Sequence, residues 1–203
     1  MLTAIFQGIL LSAGLILPLG VQNVFVFNQG VTQSRLSKAL PVVLTASICD
    51  TALITLAILG ISVVIVTIPA IKFVLFILGI LFLMYMGFVT WTSKPAATSS
   101  DEKALSPKKQ IAFAASVSLL NPHAILDTIG VIGTSSIHYI GKEKWAFAIA
   151  CILVSWIWFL ALAVVGRQVG KLDKSNTFMR GLNKVSALIM WVTAIFLLKQ
   201  LMA

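Results

Sequence analysis

The amino-acid sequence predicts an all-α integral membrane protein with six transmembrane helices, arranged as two inverted three-helix repeats. Of its 203 residues, 59% are hydrophobic and 10% are charged, and the mean hydropathy is +1.03. A soluble domain carries about 25% charged residues, so a water-soluble fold could not bury this much apolar side chain. The length also suits the prediction, because each crossing needs roughly 20 residues and leaves room only for short connections.

Six apolar stretches are long enough to cross a bilayer, and they run over 3–29, 39–66, 70–91, 110–137, 145–166 and 181–201. The polar stretch 92–109 contains Pro, Ser, Thr and charges of both signs, which is typical of a linker. It divides the single membrane domain 1–203 into a first three-helix half, 1–91, and a second half, 110–203. The N-terminal residues lack a basic region and a signal cleavage site, so we expect a retained helix there.

Each half has an odd number of spans, so the second half would enter the membrane with the opposite orientation, as in inverted-repeat transporters. A weak similarity between the sequences of the two halves supports this arrangement. Pro18 interrupts the first apolar stretch and Pro122 the fourth, and five residues after each lies a polar side chain, Asn23 or Asp127. Proline removes a backbone donor and breaks a helix, so the first and fourth helices are predicted to be broken.

The cationic residues predict the orientation of the chain. The net charge is +9, and 11 of the 15 Lys and Arg residues follow the first, third and fifth spans. By the positive-inside rule, these connections face the cytoplasm and both termini lie outside, which predicts a multi-pass protein of the cytoplasmic membrane. The charge therefore reports membrane topology, and binding of nucleic acid is not expected.

Two acidic residues, Asp50 and Asp127, stand alone inside apolar stretches. An ionised Asp at the centre of a membrane helix costs roughly 2.5–3.5 kcal/mol, so it usually faces a partner or a wet cavity. On regular helices, Asp50 would lie among small residues and Asp127 would share a face with His123 and Thr134. Both carboxylates therefore mark a candidate transport pathway; the alternative is a protonated carboxyl bonded to a neighbouring helix.

The helix breaks offer the other half of a candidate substrate site. Freed backbone at membrane depth is tolerated only against protein or a water-filled cavity. Helix N-termini there present N–H donors and a positive dipole end to a carboxylate, although simple packing kinks are the alternative. The predicted substrate-binding residues are those near the two breaks together with the carboxylates: Gly20, Gln22, Asn23, Asp50, Asn121, His123 and Asp127. N–H donors and carboxylates together suit an amino acid, preferably a cationic one.

The same residues allow other classes of function. A divalent or heavy-metal exporter would use Asp and His, but such ions normally gather more ligands, and no His-rich or acidic loop is present. A non-transporting membrane subunit is a further alternative. No G-x-x-x-x-G-K motif occurs, so no nucleotide and no other cofactor is expected. Cys49 and Cys151 lack a C-x-x-C pairing and are predicted to be core residues.

The motifs resemble the lysine exporter (LysE) family of bacterial amino acid exporters, including its arginine-exporting members. The resemblance rests on PLGVQNVFVFNQG at 18–30, CDTALITLAILG at 49–60 and LLNPHAILD at 119–127. It implies export of lysine or arginine from the cytoplasm, driven by the membrane potential or by exchange for protons, and no enzymatic activity. Related neutral amino acid exporters typically have a Pro-Gly-Pro-Asn signature and lack the His and Asp found here, so His123 and Asp127 favour a basic substrate over a neutral one.

We expect Asp127 and Asn23 to contact the substrate and Asp50 to bind either the substrate or a coupling proton, with the two carboxylates interchangeable in these roles. Gly20, Gln22 and Asn121 would shape the backbone cradle. Beyond the substrate, protons and membrane lipids are the expected partners. The oligomeric state is open, although Gly79 and Gly87 on the third span could pack against another helix, as in a homodimer.

Overall fold

The computed structural model describes residues 1–17, 20–60, 69–92, 105–119, 124–125, 128–172 and 177–202. These residues form helices and contain no strand. We number the helices α1 (Leu2–Ile16), α2 (Val21–Thr32), α3 (Leu36–Ile58), α4 (Pro69–Thr92), α5 (Pro107–Leu119), α6 (Gly141–Leu172) and α7 (Thr177–Met202). A π-helical segment, Thr128–Gly133, is continued by the short helical turn Thr134–Ser136.

Helices α3 and α6 are each long and apolar enough to cross a membrane, and α1 with α2 makes a third span if the bent pair is counted as one. Their outer faces expose large apolar side chains, among them Leu44 and Ile48 on α3 and Leu153 and Ile157 on α6. A continuous surface of this kind suits lipid, while helices satisfy their backbone groups internally. The chain is thus a helical multi-pass membrane protein, and the six-span inverted arrangement stays a prediction.

Helix α6 is central to the bundle because it packs against α1, α2 and α3. Glycines allow the close approach. A Cβ on Gly8 of α1 would lie 2.8 Å from the carbonyl oxygen of Phe147, and a Cβ on Gly30 of α2 would collide with the backbone of Ala163. Small residues are the usual means by which membrane helices bring their backbones together. Here they attach both α1 and α2 to one long helix.

Helices α4 and α7 pack against each other at another side of the bundle. Gly87 lies against the indole of Trp191, whose ring centroid is 5.5 Å from that of Trp91. The glycine that the sequence suggested for packing against another helix therefore contacts a helix of the same chain. Cys49 and Cys151 are buried and free, which confirms that they are core residues.

Polar contacts join the elements at the end of the bundle where α6 begins. The amino group of Met1 forms an ion pair with Glu143 in the first turn of α6. Nearby, the Tyr139 hydroxyl donates a hydrogen bond to the side-chain oxygen of Gln7, 2.5 Å away. The start of α1 is thus attached to the residues on either side of Gly141.

A second polar cluster lies at the opposite end, where α6 ends. The side chain of Gln110 is 1% exposed and donates to the carbonyl oxygens of Lys38 and Leu105, at 3.0 and 2.9 Å. Gln33 also donates to Leu105, at 3.0 Å, and its own carbonyl accepts from Arg167. These bonds connect the residues just before α5 to the ends of α2 and α6 and to the start of α3.

Candidate functional site

The first apolar stretch is interrupted where the sequence predicts a helix break. Helix α1 ends at Ile16 and α2 begins at Val21, and their axes are inclined by 79°. Gly20 is the extended residue before α2 and brings no side chain to cap the helix. Asn23 donates from its side-chain amide to the carbonyl oxygen of Ile16, at 2.6 Å. This bond satisfies a carbonyl at the end of α1 that has no partner further along the helix.

A cavity of about 280 Å³ lies beside this interruption. Apolar residues from several helices form most of its wall, and its polar lining side chains are Gln22, Asn23, Asp50, Thr128 and Thr193. The volume is near the lower end of the roughly 300–1,000 Å³ typical of small-molecule sites. The first N–H groups of α2, which have no acceptor within the helix, begin at its edge. The cavity therefore combines a helix N-terminus with one carboxylate and several neutral polar groups.

Asp50 is held by side chains from two other helices. Its Oδ1 accepts a hydrogen bond from Nε2 of Gln22 at 3.1 Å, and its Oδ2 accepts one from the hydroxyl of Ser155 at 2.9 Å. No cationic side chain among the described residues forms an ion pair with it. A carboxylate has about four acceptor positions, so these two bonds leave capacity for a further donor. Asp50 can thus accept from a cationic group in the cavity.

The cavity brings together four of the predicted site residues. Gly20, Gln22 and Asn23 come from the start of α2, and Asp50 comes from α3. The other predicted residues, Asn121, His123 and Asp127, lie outside the described part of the chain, as do the helix-breaking Pro18 and Pro122. Two residues close to this second group in the chain do lie within the described part. Ala124 and Thr128, on either side of 126–127, both line the cavity.

Of the face expected to hold His123, Asp127 and Thr134, only Thr134 lies within the described part of the chain. A polar face that continues to Thr134 requires regular α-helical spacing, but Thr128–Gly133 is π-helical, which changes the residue periodicity. Thr134 is exposed, and its hydroxyl donates to the carbonyl oxygen of Gly130. Thr128 lines the cavity instead.

Sequence reasoning also missed Ser155 and Thr193. A serine or threonine in an apolar helix carries no charge to mark it, and only the packing of α6 against α3 and of α7 beside the cavity reveals these two side chains. For Ser155 a signal existed in its spacing, because it lies 105 residues after Asp50, close to the 104-residue separation of the two break prolines.

Within the described residues, no group of three or more His, Cys, Asp or Glu side chains could hold a metal ion.

Comparisons with known proteins agree on one family. The profile of the LysE type translocators matches residues 13–201. The chain is 55% identical over 193 residues to the "Putative amino-acid transporter YisU" of Bacillus subtilis, covering 95% of this chain and 88% of the relative. It is 31% identical to the arginine exporter protein ArgO of Pectobacterium atrosepticum, with 93% of each chain covered, and 31% identical to ArgO of Salmonella typhi, with 98% and 95% covered.

No solved structure matches the chain. The family match extends from α1 to α7 and so includes the cavity, the broken helix pair and Asp50. Relatives named as a transporter and as exporters align over nearly the whole chain. The chain therefore belongs to the LysE family and is an amino acid transporter of the membrane, not an enzyme.

Proposed function

We propose that this transporter exports the basic amino acids L-lysine and L-arginine from the cytoplasm by alternating access. In this proposal the chain crosses the cytoplasmic membrane six times as two inverted three-helix halves, 1–91 and 110–203, joined by the linker 92–109. The cationic connections face the cytoplasm and both termini lie outside. The halves move relative to each other around the cavity, as in other inverted-repeat transporters.

The observation that carries the proposal is the position of Asp50 in a cavity beside the N-terminus of α2. The helix N-terminus favours the carboxylate of an amino acid, because its N–H groups and dipole attract negative charge. The Asp50 carboxylate favours a cationic group and retains acceptor capacity after its bonds to Gln22 and Ser155. Asn23 and Thr193 add neutral groups, and Asp127 completes the proposed site in the second half.

The spacing of the two charge-binding features is compatible with lysine or arginine as the substrate. Gln22 belongs to the first turn of α2, and its side-chain nitrogen reaches Asp50 with a hydrogen bond of 3.1 Å. The helix end and the carboxylate are thus separated by no more than one glutamine side chain and one hydrogen bond. A substrate with its carboxylate at α2 and its cation at Asp50 must cover a similar span. Lysine and arginine can do so, with methylene chains of four and three carbons.

Contacts between α3 and α6 support the inverted repeat. Asp50 bonds to Ser155, and Thr51 accepts a hydrogen bond at 3.0 Å from the indole of Trp156, so both pairs are 105 residues apart. Two helices related by a two-fold axis meet at equivalent residues where they cross the axis, and Pro18 and Pro122 have nearly the same separation, 104 residues.

The substrate class is supported by the relatives named as arginine exporters, which are 31% identical over almost the whole chain.

The driving force is either the membrane potential or exchange for protons. A negative interior opposes the exit of a cationic amino acid, so uniport would speed up or slow down with the sign of the potential, whereas one-for-one exchange for protons would not. Proteoliposomes with an imposed potassium-diffusion potential and an internal pH dye separate these routes. Proton uptake that matches arginine efflux in the absence of a potential indicates exchange. Efflux that follows only the imposed potential indicates uniport.

The test of the substrate uses proteoliposomes loaded with radiolabelled arginine, lysine or threonine. We expect arginine and lysine to leave several-fold faster than threonine. Asp50→Asn should reduce this efflux at least about tenfold, because removing one partner of a buried charge pair costs about 2–5 kcal/mol. Glu143→Gln, an acid-to-amide change at the exposed start of α6, is the control and should transport normally. Equal efflux of all three amino acids at the rate of protein-free liposomes would contradict the proposal.

A further inference from the structure

We propose that Ser155 is a positioning residue: its hydroxyl fixes the orientation of the Asp50 carboxylate from outside the cavity and so sets the affinity for the cationic substrate. The proposal rests on the proposed function, in which Asp50 binds that substrate. Ser155 lies near the middle of α6 and is 0% exposed. Asp50 and Gln22 line the cavity, but Ser155 does not. It therefore reaches the substrate only through Asp50.

The two oxygens of Asp50 are held from different helices. Gln22 on α2 donates to Oδ1 at 3.1 Å, and Ser155 on α6 donates to Oδ2 at 2.9 Å. With one bond on each oxygen, rotation of the carboxylate plane would break at least one of them. A hydrogen bond to an ionised acceptor is roughly twice as strong as one between neutral groups. The two bonds together thus fix the direction in which the remaining acceptor positions of Asp50 point.

The hydroxyl of Ser155 is used differently from those of other helical hydroxyl residues in this chain. Ser and Thr within a helix commonly donate to the carbonyl four residues earlier. Ser12 does so to Gly8 at 2.7 Å, and Thr55 does so to Thr51 at 2.7 Å. Ser155 instead donates to Oδ2 of Asp50 on the neighbouring helix α3.

A second contact keeps α3 and α6 together independently of Ser155. The indole nitrogen of Trp156 donates to the hydroxyl of Thr51 at 3.0 Å, one residue further along each helix. Apolar side chains on both helices also share one buried cluster, which includes Val43 and Ala46 of α3 and Phe159 of α6. Removing the Ser155 hydroxyl should therefore release the carboxylate without separating the helices. A loss of affinity with an intact fold is the expected signature.

The experiment compares Ser155→Ala with Ser12→Ala in arginine-loaded proteoliposomes, with initial efflux rates measured over a range of internal arginine concentrations. Ser12 is the matched control because it is equally buried, at 0% exposed, but its hydroxyl donates to the backbone of its own helix at Gly8 and not to the cavity carboxylate. We expect Ser155→Ala to raise the KM for arginine about tenfold and to keep the maximal rate within about twofold of wild type. Ser12→Ala should leave both values near wild type.

Ser155→Thr and Ser155→Val form a second pair that is nearly identical in shape and differs by one hydroxyl. Thr should keep a KM within about threefold of wild type, whereas Val should reproduce the increase seen with Ala. This pair also decides the outcome if Ser155→Ala does not assemble. An unchanged KM in Ser155→Ala, equal values for Thr and Val, or failure of all three variants to fold would overturn the positioning role. If wild type itself moves neither arginine nor lysine, the proposed function has failed instead.

Discussion

Replacing Gly30 with alanine tests the close packing of α2 against α6. The new Cβ would lie within 2.9 Å of the Cα and carbonyl carbon of Ala163 and closer still to its oxygen, and all three are backbone atoms that cannot rotate away. Overpacking of a buried contact costs about 1–3 kcal/mol, and the backbone collision favours the upper part of this range. Alanine regains about 0.5–1 kcal/mol of helix propensity. The net loss of stability is therefore about 2 kcal/mol.

For a chain of this length, about 2 kcal/mol corresponds to a decrease of roughly 4–8 °C in the unfolding midpoint. A thiol-reactive fluorescent dye in detergent can measure it, because Cys49 and Cys151 are buried and free and become reactive on unfolding. Gly181→Ala on α7 is the control, since nothing lies within 4 Å of a Cβ there. That variant should match or slightly exceed wild type. If Gly30→Ala unfolds within 1 °C of Gly181→Ala, the close contact between α2 and α6 is wrong.

Three further predictions concern other parts of the bundle. Gln110→Ala removes two bonds to backbone carbonyls and should lower the unfolding midpoint by roughly 2–12 °C, corresponding to about 1–3 kcal/mol, while the exposed Gln168→Ala should not change it. Cys49 and Cys151 should resist a maleimide in the folded protein and react fully in denaturant, as mass spectrometry can show. Thr193→Phe should fill much of the cavity and abolish arginine efflux at an unchanged unfolding midpoint, whereas Thr193→Ser should transport normally.

The sequence was most informative where a residue contradicted its surroundings. Asp50 is a charge in an apolar helix, and Gly20 follows a proline in an apolar run, so both were recognisable from hydropathy alone. The cavity that brings them together with Gln22 and Asn23 agrees with their assignment to one region. Helix α7, Thr177–Met202, lies over the apolar stretch 181–201.

The sequence was least informative where packing, rather than composition, gives a residue its role. Ser155 is an ordinary small residue of an apolar helix until α6 lies across α3 and places its hydroxyl on Asp50. Regular α-helical spacing predicts that Thr134 belongs to a polar face, but the π-helical turn before it changes which residues share a face. Neither local feature can be derived from hydropathy, because both depend on the fit between helices.

The length of α6 has a consequence for movement. Its 32 residues span about 48 Å, well beyond the roughly 30 Å hydrocarbon core, so the helix must tilt or extend into the headgroups. It contacts α1 through Phe147 near one end and α2 through Ala163 towards the other, with Ser155 between them at the crossing with α3. A rigid helix that pivots at this crossing displaces its two ends in opposite directions. A change of tilt in α6 would therefore tighten its contact with one of the helices α1 and α2 at one side of the membrane. The same change would loosen its contact with the other helix at the opposite side.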